Sequence, residues 1–179
     1  MNARLARFAA IALLFAAFPA HASAQDRRDV RLAHEVGRAV RDYSQFTIFD
    51  DVNGRVDAGV VSLHGKVTSP HKKQEIERRI ARIDGVRELK SEIAVLPASR
   101  YDEDLRYRIA RAIYGNPSFW NYAAMANPPI HIIVENGRVT LTGVVNSDVE
   151  RMLARSLATG FGELSVTNAL RTDAETRSF

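Results

Sequence analysis

No cysteine occurs in the 179 residues. That excludes disulfides, cysteine-ligated zinc, a thiol nucleophile and a lipid-modified N-terminal cysteine. Long apolar runs are also missing beyond the first two dozen residues. The one run, Phe8 to Phe18, follows Arg4 and Arg7, is ended by Pro19, and precedes the small residues Ala22-Ser23-Ala24. It is shorter than the ~20 residues a spanning helix needs, and its order is that of a secretory signal peptide. Cleavage between Ala24 and Gln25 is expected, leaving a periplasmic chain with no transmembrane segment; export without disulfides fits a bacterial periplasm. Charge of one sign is scarce as well. The formal net charge is +4, but without the two leader arginines 23 bases face 21 acids, a net of +2. Nucleic-acid binding needs a concentrated basic surface, so no nucleic-acid partner is expected.

What the chain does have is an internal repeat. Val61-Ser62-Leu63-His64-Gly65 aligns with Val139-Thr140-Leu141-Thr142-Gly143, and Leu32, Val36, Ala39 and Val40 align with Leu105, Ile109, Ala112 and Ile113. Asp29 and Asp102 stand three residues before these helical sets, and Leu89 to Ile93 aligns with Val166 to Leu170. The offset drifts from 73 to 78 to 77, the pattern of a duplicated unit with small loop insertions.

Each unit parses as helix, strand, strand, helix, strand. Apolar residues at helical spacing mark the first helix, with the leading Asp expected to cap its free N–H groups. The second unit's strands, 130–135 and 138–143, flank Asn136-Gly137, a type I′ hairpin signal. The first unit's are expected at 46–52 and 59–66 with a longer connection. Ser69-Pro70 opens the next helix of unit one, with Ile76, Ile80 and Ile83 on one face. Ser147 and Glu150 form a capping box in unit two, with Val149, Met152, Leu153 and Leu157 expected on the buried face. Gly85 and Gly162 are expected to stop these helices. The expected fold class is α+β: two αββαβ units at 29–96 and 101–172, each a small three-stranded mixed sheet covered by two helices, then a tail at 173–179. The short linker Leu96 to Ser99 should hold the units close together.

This organisation resembles the BON domain family, the bacterial osmotic-stress and nodulation module. The Val-x-Leu-x-Gly strands at Val61-Leu63-Gly65 and Val139-Leu141-Gly143, and the tails Gly85-Val86…Leu89…Ile93 and Val166 to Leu170, carry the resemblance over about residues 29–172. Ser91 stands where the family has Asn, and Glu163 where an apolar residue is usual. The resemblance implies a non-enzymatic envelope domain with phospholipid membrane as its ligand class and a role in envelope integrity or transport.

No catalytic signature is present. His34-Glu35 begins like a zinc-protease helix, but Arg38 occupies the second histidine position. His64, His71 and His131 lack metal-ligand spacing, and no nucleophile elbow or phosphate loop occurs. No metal or cofactor is expected. Gly65, Gly85, Gly137 and Gly143 read as backbone necessities. Three features suit binding instead. One is the basic helix carrying Lys72, Lys73, Arg78, Arg79 and Arg82, which would meet anionic headgroups or simply be a solvated face. Another is the insertion 116–129 with Phe119, Trp120 and Tyr122, which suits a membrane interface or completes a thin core. The last is the pair Arg151 and Arg155, expected opposite Met152 and Leu153. Two functions follow: binding of anionic phospholipid surface, or docking of another envelope protein through sheet edges.

Overall fold

The computed structural model describes residues 24–177, so the expected signal peptide, but for its last residue Ala24, lies outside the described residues. The chain forms two α+β units in tandem. The first is α1 (Ala24–Arg41), β1 (Asp51–Asp57), β2 (Val60–Val67), α2 (Pro70–Ala81) and β3 (Glu88–Val95). The second is α3 (Arg100–Tyr114), a 3-10 turn (Pro117–Phe119), α4 (Trp120–Ala123), β4 (Ile130–Glu135), β5 (Arg138–Val145), α5 (Asp148–Leu157), β6 (Ser165–Thr172) and α6 (Asp173–Arg177). Each sheet has its second strand in the middle, antiparallel to the first and parallel to the third. The crossover helix between the parallel strands, α2 or α5, is what that pairing requires.

The repeat goes deeper than the sequence reading allowed. In the first unit the expected strand at 46–52 is displaced: β1 starts at Asp51, and residues 46–50 form turns. The longer connection is also absent, because Ala58 (φ 48°) and Gly59 (φ 79°) make the same two-residue turn as Asn136 (φ 51°) and Gly137 (φ 73°). Alanine in that turn carries no sequence signal, which hid it. The two leading aspartates do not cap their helices. Asp29 lies inside α1, and its carboxylate accepts from the N–H groups of Ala58 (2.9 Å) and Gly59 (3.1 Å). Asp102 accepts from Asn136 and Gly137, both at 2.8 Å. Each aspartate therefore pins its unit's hairpin turn to the first helix, while Ser99 caps α3.

Leu32, Val36 and Val40 of α1 pack with Val61, Leu63, Ile76, Ile80 and Ile93 into one core. Leu105, Ile109 and Ile113 of α3 pack with Val139, Leu141 and Leu170 into the other. On α5 the expected face is rotated. Val149 and Met152 are 75% and 71% exposed, while Ala154 and Ala158 are buried. The small alanines let the helix sit close to a sheet already filled by Phe119 and Tyr122. Gly85 and Gly162 do not terminate helices; α2 ends at Ala81 and α5 at Leu157, and both glycines take positive φ in the turns that follow. Gly65 and Gly143 have positive φ where a Cβ would run into the carbonyl oxygens of Asp51 and Pro129, so only glycine fits. The departure at Ser91 has a physical counterpart. Asn168, at the same register position, donates to the Arg151 carbonyl of α5 (2.8 Å), whereas the Ser91 hydroxyl is buried without a partner. The 173–177 part of the expected tail is helical, capped by Thr172 and Glu175.

The units touch through the connection between α1 and β1. The Ile48 carbonyl accepts from the Ile132 N–H (2.7 Å) on the outer edge of β4. Ile48 and Phe49 pack on the second core, and Phe49 meets Tyr107 edge-on at 5.2 Å. The Asp50 carbonyl accepts from Nδ1 of His131 (2.6 Å), and Lys66 pairs with Glu135 (2.5 Å).

Candidate functional site

The α2 cluster dissolves largely into structural pairs. Asp50, fully buried, collects five donors: Thr47 N–H and hydroxyl, Thr68 N–H and hydroxyl, and the Lys72 ammonium at 2.6 Å. Lys72 therefore ties α2 to the α1–β1 connection. Arg78 (2.6 Å) and Arg79 (3.1 Å) share Glu75, and Arg79 also stacks over the Tyr43 ring at 4.9 Å. Lys73 reaches Glu77 at 4.0 Å. Of the expected cations on and just after α2, only Arg82 is exposed with no ion pair among the described residues.

The insertion behaves likewise. Phe119 is fully buried and stacks with Tyr122 at 5.9 Å. The Tyr122 hydroxyl donates to Glu150 (2.7 Å) and accepts from the Asn146 N–H (3.0 Å). Burial first, and that carboxylate second, push its phenol up to about 12. Glu150 itself accepts from Asn146 N–H, one residue outside the expected capping box. Both aromatics complete the core, whereas Trp120 is 62% exposed. Arg151 is engaged by Asp148 and Glu175, while Arg155 stays exposed. The two arginines share a shallow depression with Met152, not the opposite face from it.

The strongest cationic feature was not anticipated. On α1, Arg27, Arg31, Arg38 and Arg41 follow a 4, 7, 3 spacing, with His34 filling the gap, and all five are exposed. At 100° per residue they fall within about 80° of one another. That stripe is centred opposite Val36, the middle of the buried Leu32–Val36–Val40 row. None of the helix's acids falls within it: Asp29 faces the hairpin, and Asp26 and Glu35 flank the stripe. The four arginines make no ion pair among the described residues. The stripe is about 21 Å long. Its spacing is present in the sequence, but the arginines stand three to seven residues apart and do not form a run.

A cleft of about 940 Å³ separates the units. Val36 and Arg41 of α1, Asp51 to Gly54 of β1, His64, Pro129, His131 and Arg171 line it. Residues from both faces of β1 are included, so the strand's edge looks into it. Among the described residues no three His, Asp or Glu side chains gather as a metal site, and no helix is long and apolar enough to cross a membrane.

A family model of the BON domain matches residues 28–97 and 102–174. The chain is a tandem BON-domain protein. No curated protein matches it. Among solved structures, two of CdsD, a structural protein of the type III secretion system of Chlamydia trachomatis, are similar to it. One, of the C-terminal domain, has 14% identity and a TM-score of 0.33, over 79% of this chain and 65% of that one. The other has 14% identity and a TM-score of 0.31, over 83% of this chain and 96% of that one. The chain thus spans less than two thirds of the first structure's length, and at those scores the likeness carries no argument about function.

BON domains are envelope-associated modules and generally non-catalytic. The geometry of this BON protein suits recognition at two places: the exposed guanidinium row on α1 and the open strand edge in the cleft. Arg82, Trp120 and Arg155 are left as scattered single positions.

Proposed function

We propose that this BON protein binds the anionic phospholipid surface of the bacterial envelope and serves there in envelope maintenance. The observation that carries the reading is the unpaired row of Arg27, Arg31, Arg38 and Arg41 on the solvent face of α1. Arginine guanidinium groups are weakly hydrated and match phosphate geometry. Each basic residue near an anionic surface contributes roughly 1 kcal/mol, so four contribute about 4 kcal/mol, close to a thousandfold in partition. The contact is electrostatic and should weaken as salt shortens the Debye length. Trp120, exposed on the second unit, offers an interfacial ring as a secondary contact.

Co-sedimentation of the chain from Gln25 onward with phosphatidylglycerol vesicles and phosphatidylcholine vesicles tests this. Binding to the first alone, lost at high salt, is expected. Replacing Arg27, Arg31 and Arg38 with glutamine should weaken it on the order of a hundredfold; Trp120→Ala should weaken it less. Equal sedimentation with neutral vesicles, or none with either, would refute the reading.

A further inference from the structure

The two units treat their first strands differently. The outer edge of β4 is covered: the Ile48 carbonyl accepts from the Ile132 N–H at 2.7 Å, with Phe46 and Phe49 packed beside it against His131 and Tyr107. The register of the two sheets is the same, since Ile132 pairs with Leu141 and Gly54 with Leu63. The Gly54 N–H is therefore the counterpart of the Ile132 N–H and points outward from β1. Among the described residues no backbone group covers β1 on that side, and Asn53, Gly54 and Arg55 are exposed. That edge opens into the cleft between the units.

We propose that the β1 edge accepts an extended segment of another envelope protein as an added strand, with a partner carbonyl taking the Gly54 N–H as Ile48 takes that of Ile132. Unpaired strand edges are templates for such addition. Glycine within a strand marks close approach of another backbone, and Gly54 leaves room beside Val36 and Leu63, which a Cβ would contact at 3.3 Å. Asp51 to Gly54 span about 10 Å, enough for three or four residues of partner. The cleft also sets the chemistry of the occupant. Val36, Val40, Phe46 and Ile48 give it apolar wall, while Arg41 and Arg171 stand on it without carboxylate partners against the single acid Asp51. The favoured segment alternates apolar side chains with at least one acid. This activity is distinct from the phospholipid reading, because it uses the strand edge and Arg171 and shares only Arg41 with the row on α1.

The test selects a library of random twelve-residue peptides against the chain from Gln25 onward. Enriched peptides should combine alternating apolar residues with an acid, bind in the micromolar range, and shift the Gly54 amide resonance. Gly54→Pro removes the outward N–H without breaking the β1–β2 ladder, since edge strands accept proline there; it should weaken binding at least tenfold. Arg171→Glu, on the far wall, should do so independently, which keeps the test sound if the proline variant folds poorly. A library with no enriched peptide, or peptides that bind both variants as they bind the parent protein, overturns the proposal.

Discussion

Replacing Asp102 with alanine should cost about 3 kcal/mol, and replacing Asp29 about 1 kcal/mol, although the two aspartates occupy the same place in the repeat. The Asp102 carboxylate is 1% exposed and takes the Asn136 and Gly137 N–H groups at 2.8 Å, with Gly137 itself buried. A charged acceptor bond contributes roughly 1.5–3 kcal/mol, and a buried N–H left without one costs about 1–3 kcal/mol. Asp102 is also the first acid offsetting the burial that pulls down the pKa of the neighbouring Arg106 guanidinium. Asp29 makes longer bonds, 2.9 and 3.1 Å, to a turn whose Ala58 is exposed, so water can replace it. Urea unfolding followed by the fluorescence of Trp120, which reports the second unit, and by circular dichroism checks the difference. With a slope of ~1–3 kcal/mol per molar urea, Asp102→Ala should lower the midpoint by about 1 M or more. Equal losses for the two variants, or a loss below about 1 kcal/mol for Asp102→Ala, would refute the hairpin-pinning argument.

Asp50→Ala should destabilise the chain by roughly 3 kcal/mol, because it strands the partly buried Lys72 ammonium and the Thr68 N–H; a urea midpoint unchanged from the parent would contradict this. Alkali should loosen the second unit. Burial holds the Tyr114 phenol above its ordinary value, and burial with the Glu150 carboxylate pushes Tyr122 to about 12. Unfolded tyrosine titrates near 10, so the folded chain holds more protons between about pH 10 and 12, and stability present below pH 10 falls through that window. All five tyrosines titrating together near pH 10 with the fold intact would contradict it.

The architecture was legible because both repeats obey the same periodicities. The Leu105–Ile109–Ile113 row, the Asn136-Gly137 turn and the Ser69-Pro70 start each encode local structure. The Ala58-Gly59 turn was not legible, since alanine at positive φ is imposed by its surroundings: the Asp29 carboxylate takes both its N–H groups. The site was less legible still. A run of bases on a helix looks free until its partners are known, and Asp50 lies 22 residues before Lys72 in sequence. Phe119 and Trp120 are neighbours with opposite fates, decided by which side of a short helix meets the core.

The connection 42–50 explains why the repeats diverge in use. In the second unit the matching segment, 116–129, folds back on its own core through Phe119 and Tyr122. In the first it reaches forward, and Ile48 and Asp50 cover the edge and the first residues of β4. Each first strand has an outer edge, and for β4 the connection 42–50 is the piece that covers it. No described segment does this for β1. Among the described residues, then, one first-strand edge is occupied and the equivalent edge is uncovered. The occupied one shows the contact an occupant must make: a carbonyl aimed at the outward N–H, with apolar side chains flanking it. The wall then selects among such segments, because Arg41 and Arg171 favour an acid where β4 presents Glu135 to Lys66.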